Sequence, residues 1–329
     1  MKKTALALAA SASLALLAAQ PAHAYVMASS MVNMSNFLIK KADGSTMGVG
    51  DFDFLTFTTS ADYAIDLTGY GNFGDAGFSS TSSIDFAPAC LGAACNPILP
   101  DNSFPKLFAP PVTGNYVAAD QLETGTPITG LVGFGGLGAQ VANGSYTGLD
   151  VGTVAASADS NNNLNASFIF KLNQAGGVSF SFDVDAFLQV AVSAFPDERF
   201  PAFATASYQM DFSVTNLSAG GVTVWSYAPD LFGDGTKTLS LNAPLPVNAQ
   251  VVRNTCFDGV NIPTLFNASV CSKSFSGTTV ALNNTDLYQL SARIQTNVDA
   301  QRVSEPGMLG LLGLGLVGLG LARRMRRQA

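Results

Sequence analysis

Val178-Ser179-Phe180-Ser181-Phe182-Asp183-Val184-Asp185 alternates apolar and polar side chains without a break, and an apolar-rich run continues it to Val190. Successive side chains of an extended chain point to opposite faces, so this stretch buries its valines and phenylalanines and wets its serines and aspartates. The same period of two recurs over residues 167–172, 204–217, 222–227, 274–282 and 287–298. Between these runs stand Gln174-Ala175-Gly176-Gly177, Ala219-Gly220-Gly221, Gly233-Asp234-Gly235 and Asn283-Asn284, residue types that turn a chain tightly. Half-buried strands separated by such turns predict an all-β ectodomain, an antiparallel β-sandwich of jelly-roll-like form.

Working outward, residues 25–39 and 52–67 also read as strands. Residues 91–153 are rich in Gly, Pro, Ala and Asn and poor in strong core formers, so they read as an irregular excursion from the sandwich with short edge strands. A second small β domain is the alternative. No internal repeat stands out, which argues against a solenoid or propeller.

Both ends carry sorting signals. Lys2 and Lys3 precede an apolar run from Ala5 to Ala19, and Ala22-His23-Ala24 gives the small-x-small cleavage pattern of a signal peptide over 1–24. At the other end Val303-Ser304-Glu305-Pro306 leads into an uncharged Gly/Leu stretch, residues 307–322, followed by Arg323, Arg324, Arg326 and Arg327. As a helix that stretch reaches roughly 24 Å, a little under the ~30 Å hydrocarbon core of a bilayer. In lipid the backbone must bond to itself, so its glycines do not prevent a membrane helix there. The arginines hold the C-terminus in the cytoplasm and leave the rest outside.

An N-terminal signal peptide, an acidic-Pro motif, a Leu/Gly span and a terminal Arg cluster together resemble the PEP-CTERM sorting signal of exosortase substrates, a tail also labelled the ice-binding-protein C-terminal domain. The usual Pro-Glu-Pro has Ser304 in place of its first proline. The resemblance implies export by the Sec machinery of a Gram-negative bacterium, transient retention in the inner membrane, and recognition of Glu305-Pro306 by an exosortase. Delivery to the cell surface or the exopolysaccharide matrix of a biofilm would follow. Upstream, Ala166-Ser167-Phe168-Ile169-Phe170, Val224-Trp225-Ser226-Tyr227-Ala228-Pro229-Asp230 and Asn297-Val298-Asp299-Ala300 resemble ectodomains of exosortase-dependent surface proteins, for which no activity is implied. An ice-binding role finds no support, because no regular Thr ladder is present.

Residues 25–304 carry 10 basic and 22 acidic residues, a net charge of −12. Such a surface repels nucleic acid and anionic lipid and accepts divalent cations or cationic polymers. Four cysteines allow three pairings; the short gaps favour Cys90 with Cys95 and Cys256 with Cys271, as expected in an oxidising compartment. Their spacings do not suit a zinc ribbon.

The single histidine, His23, leaves with the signal peptide, so the mature chain has no imidazole for a triad or for general acid/base work near neutral pH. Three Gly-x-Gly-x-x-Gly segments, starting at Gly69, Gly133 and Gly313, precede no amphipathic helix and so predict no dinucleotide site. Asp51-x-Asp53 and Asp183-x-Asp185 place carboxylates on one strand face about 6 to 7 Å apart, and Asp230 with Asp234 crowds a turn. These aspartates, Asp183, Asp185, Asp230 and Asp234 above all, are candidate Ca²⁺ ligands; they also serve simply to solubilise strand faces. Trp225 and Tyr227 share a strand face and are expected to pack in the core rather than form a sugar platform. The reading is therefore a non-enzymatic exported protein without cofactor. A carbohydrate- or Ca²⁺-binding adhesion module and a periplasmic glycosidase are the alternatives.

Overall fold

The computed structural model describes residues 25–80, 83–92, 95, 100–107, 114–150, 156–193, 202–227, 236–242, 250–254 and 272–302. The expected signal peptide with Ala22 and Ala24, the aspartates 230 and 234, Cys256, Cys271 and the expected sorting tail from Val303 with its expected membrane segment lie outside the described residues.

In chain order the strands are β1 (Tyr25–Lys41), β2 (Phe52–Leu67), β3 (Gly71–Ser79), β4 (Ile84–Gly92), β5 (Tyr116–Thr124), β6 (Ala139–Asp150), β7 (Ala156–Leu172), β8 (Val178–Ser193), β9 (Ala202–Asn216), β10 (Val222–Tyr227), β11 (Thr236–Asn242), β12 (Gln250–Asn254), β13 (Ser272–Thr278) and β14 (Tyr288–Arg302). A 3-10 turn, Val49–Asp51, precedes β2. Sheet 1 runs β12-β8-β1-β6-β5-β4 with β13 also on β8; sheet 2 runs β10-β9-β14-β7-β2-β3 with β11 also on β9. The two antiparallel sheets pack face to face as a β-sandwich. Among the described residues each has seven strands, where a jelly roll shares eight between its two sheets.

Alternation drives the packing. In β9 every second residue, from Ala202 to Asn216, is buried, and β14 behaves in the same way from Tyr288 to Arg302. Their inward apolar residues meet those of β1 and β8: Phe37 stacks on Phe180 at 6.0 Å and on Phe212 at 5.8 Å between ring centres. Cys90 and Cys95 are disulfide-bonded, as their spacing predicts.

The region 91–153 departs from expectation. It supplies β5 and β6, and β6 lies inside sheet 1 between β1 and β5 with nearly every residue buried. A strand covered on both faces loses the wet side that marks it in a sequence. Here the small residues serve close packing, since a side chain on Gly148 would collide with the Tyr116 ring and one on Gly144 with the Tyr146 ring.

The outer faces of the two sheets differ. That of sheet 1 is crossed by residues 100–107, whose Phe104 packs with Met31, Ala142 and Phe187 and whose Leu107 packs against Tyr116, Ala118 and Tyr146. Across β2, β7 and β14 the outward side chains of sheet 2 lie open to solvent or half-covered.

Candidate functional site

The open face of sheet 2 is built by register. Across β2, β7, β14 and β9 one row reads Asp66, Asp159, Asp299 and Thr205. The next reads Ala64, Asn161, Asn297 and Ser207, then Asp62, Asn163, Gln295 and Gln209, then Ser60, Asn165, Arg293 and Asp211. Neighbouring strands are about 4.8 Å apart and successive outward residues ~6.7 Å apart, so the face is a lattice of amides, hydroxyls and carboxylates.

Many of these groups are steadied by neighbours. Asn163 Nδ2 donates to Asp62 Oδ2 at 3.0 Å, Arg293 Nη2 to Gln295 Oε1 at 3.1 Å, and Gln289 Nε2 to Ser167 Oγ at 2.7 Å. Side chains fixed in this way lose less entropy when a ligand settles on them. At the margin of the lattice Phe78 stands opposite Ser60 with 70% of its surface exposed, an aromatic plane beside the polar grid.

The acidic row opposes three like charges directly, which costs stability. Partial burial raises the pKa of Asp159, with Asp66 and Asp299 adding to the effect; burial raises Asp299 as well, against the hydrogen bond from Gln301. The row is linear, whereas a Ca²⁺ shell needs six to eight oxygens converging on one point. Among the described residues no group of three or more His, Cys, Asp or Glu side chains is arranged to hold a metal ion.

The carboxylate pairs named from the sequence fall elsewhere. Asp183 and Asp185 both face outward on β8 in sheet 1, but each has its own partner. Asp183 accepts from Ser274 Oγ at 2.6 Å and from Asn36 Nδ2 at 2.8 Å, which hold its pKa below the usual range, while Asp185 pairs with Lys106 at 2.6 Å. Asp51 and Asp53 do not share a strand face. Asp51 lies in the 3-10 turn, accepting from the Gly48 N–H and pairing with Lys41 at 2.8 Å, because the chain becomes extended only at Phe52. Trp225 and Tyr227 turn inward, Trp225 lying 5.0 Å from Phe180 and Tyr227 6.4 Å from Phe275 between ring centres.

Two buried carboxyls escape the sequence reading. Asp120 on β5 is 2% exposed, and burial pushes its pKa up to about 7, opposed by the hydrogen bond from the Asn102 N–H at 3.1 Å. Glu123 lies between the sheets, raised by burial and accepting from Thr59 Oγ1 at 3.2 Å. It lines a cavity of about 40 Å³ beside Met34, Phe57, Phe168 and Leu290, room for water but not for a larger ligand. No spacing rule marks either residue, because the strands that enclose them come from distant parts of the chain.

No family model and no curated protein matches this chain. Among solved structures a similarity is found to Aeromonas hydrophila ExeD at 10% identity, covering 96% of this chain and 57% of that one, with a TM-score of 0.11. At that score the likeness carries no argument about fold or function.

Proposed function

We propose that this chain is an exported, non-catalytic surface protein, sorted by an exosortase through Glu305-Pro306, that holds matrix exopolysaccharide on the open face of sheet 2. The observation that carries the binding role is the register-matched lattice of Asn, Gln, Ser, Thr and Asp across β2, β7, β14 and β9, bordered by the exposed Phe78. Such a lattice offers donors and acceptors to a hydroxyl-rich chain, and it offers few apolar pockets of the kind that would read peptide side chains. The sorting role rests on the two ends of the sequence. A sandwich sheet that is open on one side suits a protein whose task lies at a surface.

A glycosidase needs one carboxyl raised in pKa beside a second that stays ionised. Asp183 is lowered and hydrogen-bonded, and Asp185 is ion-paired, so that pair has no free general acid.

Intact-mass analysis of protein from the envelope and the culture supernatant, with and without the exosortase, tests the sorting route. The expected product begins near Tyr25, ends near Ser304 and is lost without the enzyme; a C-terminus at Ala329 in both strains refutes sorting. Co-sedimentation of the supernatant protein with purified matrix polysaccharide tests the face. Retention that survives replacement of Asn161, Asn163 and Asn297 by Ala would sink that assignment.

A further inference from the structure

We propose that the outer face of sheet 1 is a docking groove for an extended peptide that carries an aromatic residue two positions before a basic one, and that residues 100–107 fill the groove as an internal stand-in for that peptide. The residues concerned lie apart from the polysaccharide face, on the opposite side of the sandwich.

The chemistry of the occupant is displayed by the strap itself. Phe104 enters an apolar pocket formed by Met31, Leu122, Ala142 and Phe187, and Lys106 reaches Asp185 at 2.6 Å. Pro105 between them restricts the backbone, so the two side chains arrive at a fixed spacing. Asn102 completes the seat, its N–H donating to Asp120 at 3.1 Å and its side-chain amide to Asp85 at 3.2 Å. Lys106 meets the carboxylate of Asp185 on the sheet, while Asp101 of the strap stands near Asp120 and opposes its charge.

The strap is poorly suited to be a permanent part of the core. It pairs with no strand among the described residues, and it lies in the connection between β4 and β5, which runs from Gly92 to Tyr116, a length more typical of functional loops than of structural ones. Asn102 has φ 59° and Phe104 φ 41°, a region in which a bulky residue is strained. Beneath it Asp120 Oδ1, Tyr146 OH and Tyr116 OH are buried with no hydrogen-bond partner among the described residues. Opening of the strap lets water pair these groups, so the closed strap holds its seat loosely.

The test uses protein recovered from culture supernatant and a fluorescent synthetic peptide of residues 101–107. The double variant Phe104→Ala with Lys106→Ala should bind that peptide at roughly tenfold lower concentration than the parent chain, whose tethered strap competes at high effective concentration. A peptide with the same two alanines should not bind. A folded double variant that ignores the peptide overturns the proposal, and so does strap-dependent dimerisation, which would make the occupant a second copy. Should the double variant fail to fold, Asp185→Asn frees Lys106 alone. It should speed tryptic cleavage after Lys106 about tenfold, with added peptide speeding it further by keeping the strap out of its seat; an unchanged rate refutes the idea.

Discussion

Asn143 on β6 and Asn162 on β7 face each other across the gap between the sheets, and each donates its side-chain amide to main-chain carbonyls beyond it. Asn143 Nδ2 donates to the carbonyls of Asn162 at 3.0 Å and Ile294 at 3.4 Å, and Asn162 Nδ2 to those of Gly144 at 2.9 Å and Asp120 at 3.1 Å. Ser145, Ser160 and Thr296 extend this polar seam, with Ser145 and Thr296 hydroxyls 3.0 Å apart. The bonds fix one sheet on the other at a single register, a task that interchangeable apolar contacts do less sharply.

Replacing Asn162 by Ala should therefore destabilise the fold by about 2 to 3 kcal/mol, the cost of lost buried hydrogen bonds and a small cavity. Urea unfolding of the variant checks this: the midpoint should fall while the slope stays constant.

Stability should fall as pH rises through neutrality. Asp120 has a folded pKa of about 7, above the ordinary carboxylate value, so the stability it contributes is complete below about pH 4 and is lost as pH rises through about 7. The groups that face it are Asp85 from β4 and Asp101 from the strap, which oppose its ionisation, and the N–H groups of Asn102 and Gln121, which favour it. Tyr146 from β6 is itself raised by burial and by Asp120. Asp120→Asn should flatten the melting temperature between pH 5 and 8; a profile parallel to that of the parent would contradict the assignment.

The acidic row predicts a stabilising substitution. Asp159 stands between Asp66 and Asp299, so Asp159→Asn removes two like-charge contacts at once and should gain about 0.5 to 1 kcal/mol near neutral pH. The gain should shrink in high salt, which thermal melts at two ionic strengths would show.

Phe78 offers a separable test of the proposed polysaccharide face. It is largely exposed on an edge strand, so Phe78→Ala should leave the melting temperature nearly unchanged. Retention on matrix polysaccharide should weaken by a factor of roughly 3 to 10, the worth of one stacking contact.

Gly148 tests the close packing of sheet 1. An alanine methyl there meets the Tyr116 ring, so Gly148→Ala should cost about 1 to 3 kcal/mol, with Tyr116→Leu as the second-site change that returns part of it.

The sequence disclosed those parts of the fold that have one wet face. The strands of residues 178–190, 204–217 and 287–298 were legible because buried residues alternate with more open ones, over residues 178–185 in the first of them, and the structure shifts their ends by only a few positions. β6 was not, since both its faces are covered and Ala139–Asp150 reads as loop composition. The Asn-rich start of β7 was hidden for a different reason, its inward Ser160 and Asn162 belonging to the polar seam rather than to an apolar core. At the candidate site, Asp66, Asp159 and Asp299 are far apart in the chain and become neighbours only through pairing. Asp183 and Asp185, chosen because they are close in sequence, prove to be satisfied locally.

The margins of the two sheets have a bearing on how the protein behaves when crowded. The outer edge of β8 is divided between β12 and β13, of five and seven residues, and that of β9 between β10 and β11, of six and seven. At the far margins β4 is interrupted at Pro88 by a shift of register, and β3 is rich in glycine. The first three of these borders are short or broken, and β3, an unbroken edge of nine residues, is weakened as a template by its three glycines. A chain whose strands run to 17 residues would otherwise be a good template for fibrils. Short and broken borders reduce the places at which such a chain, at high density, could polymerise through its sheets.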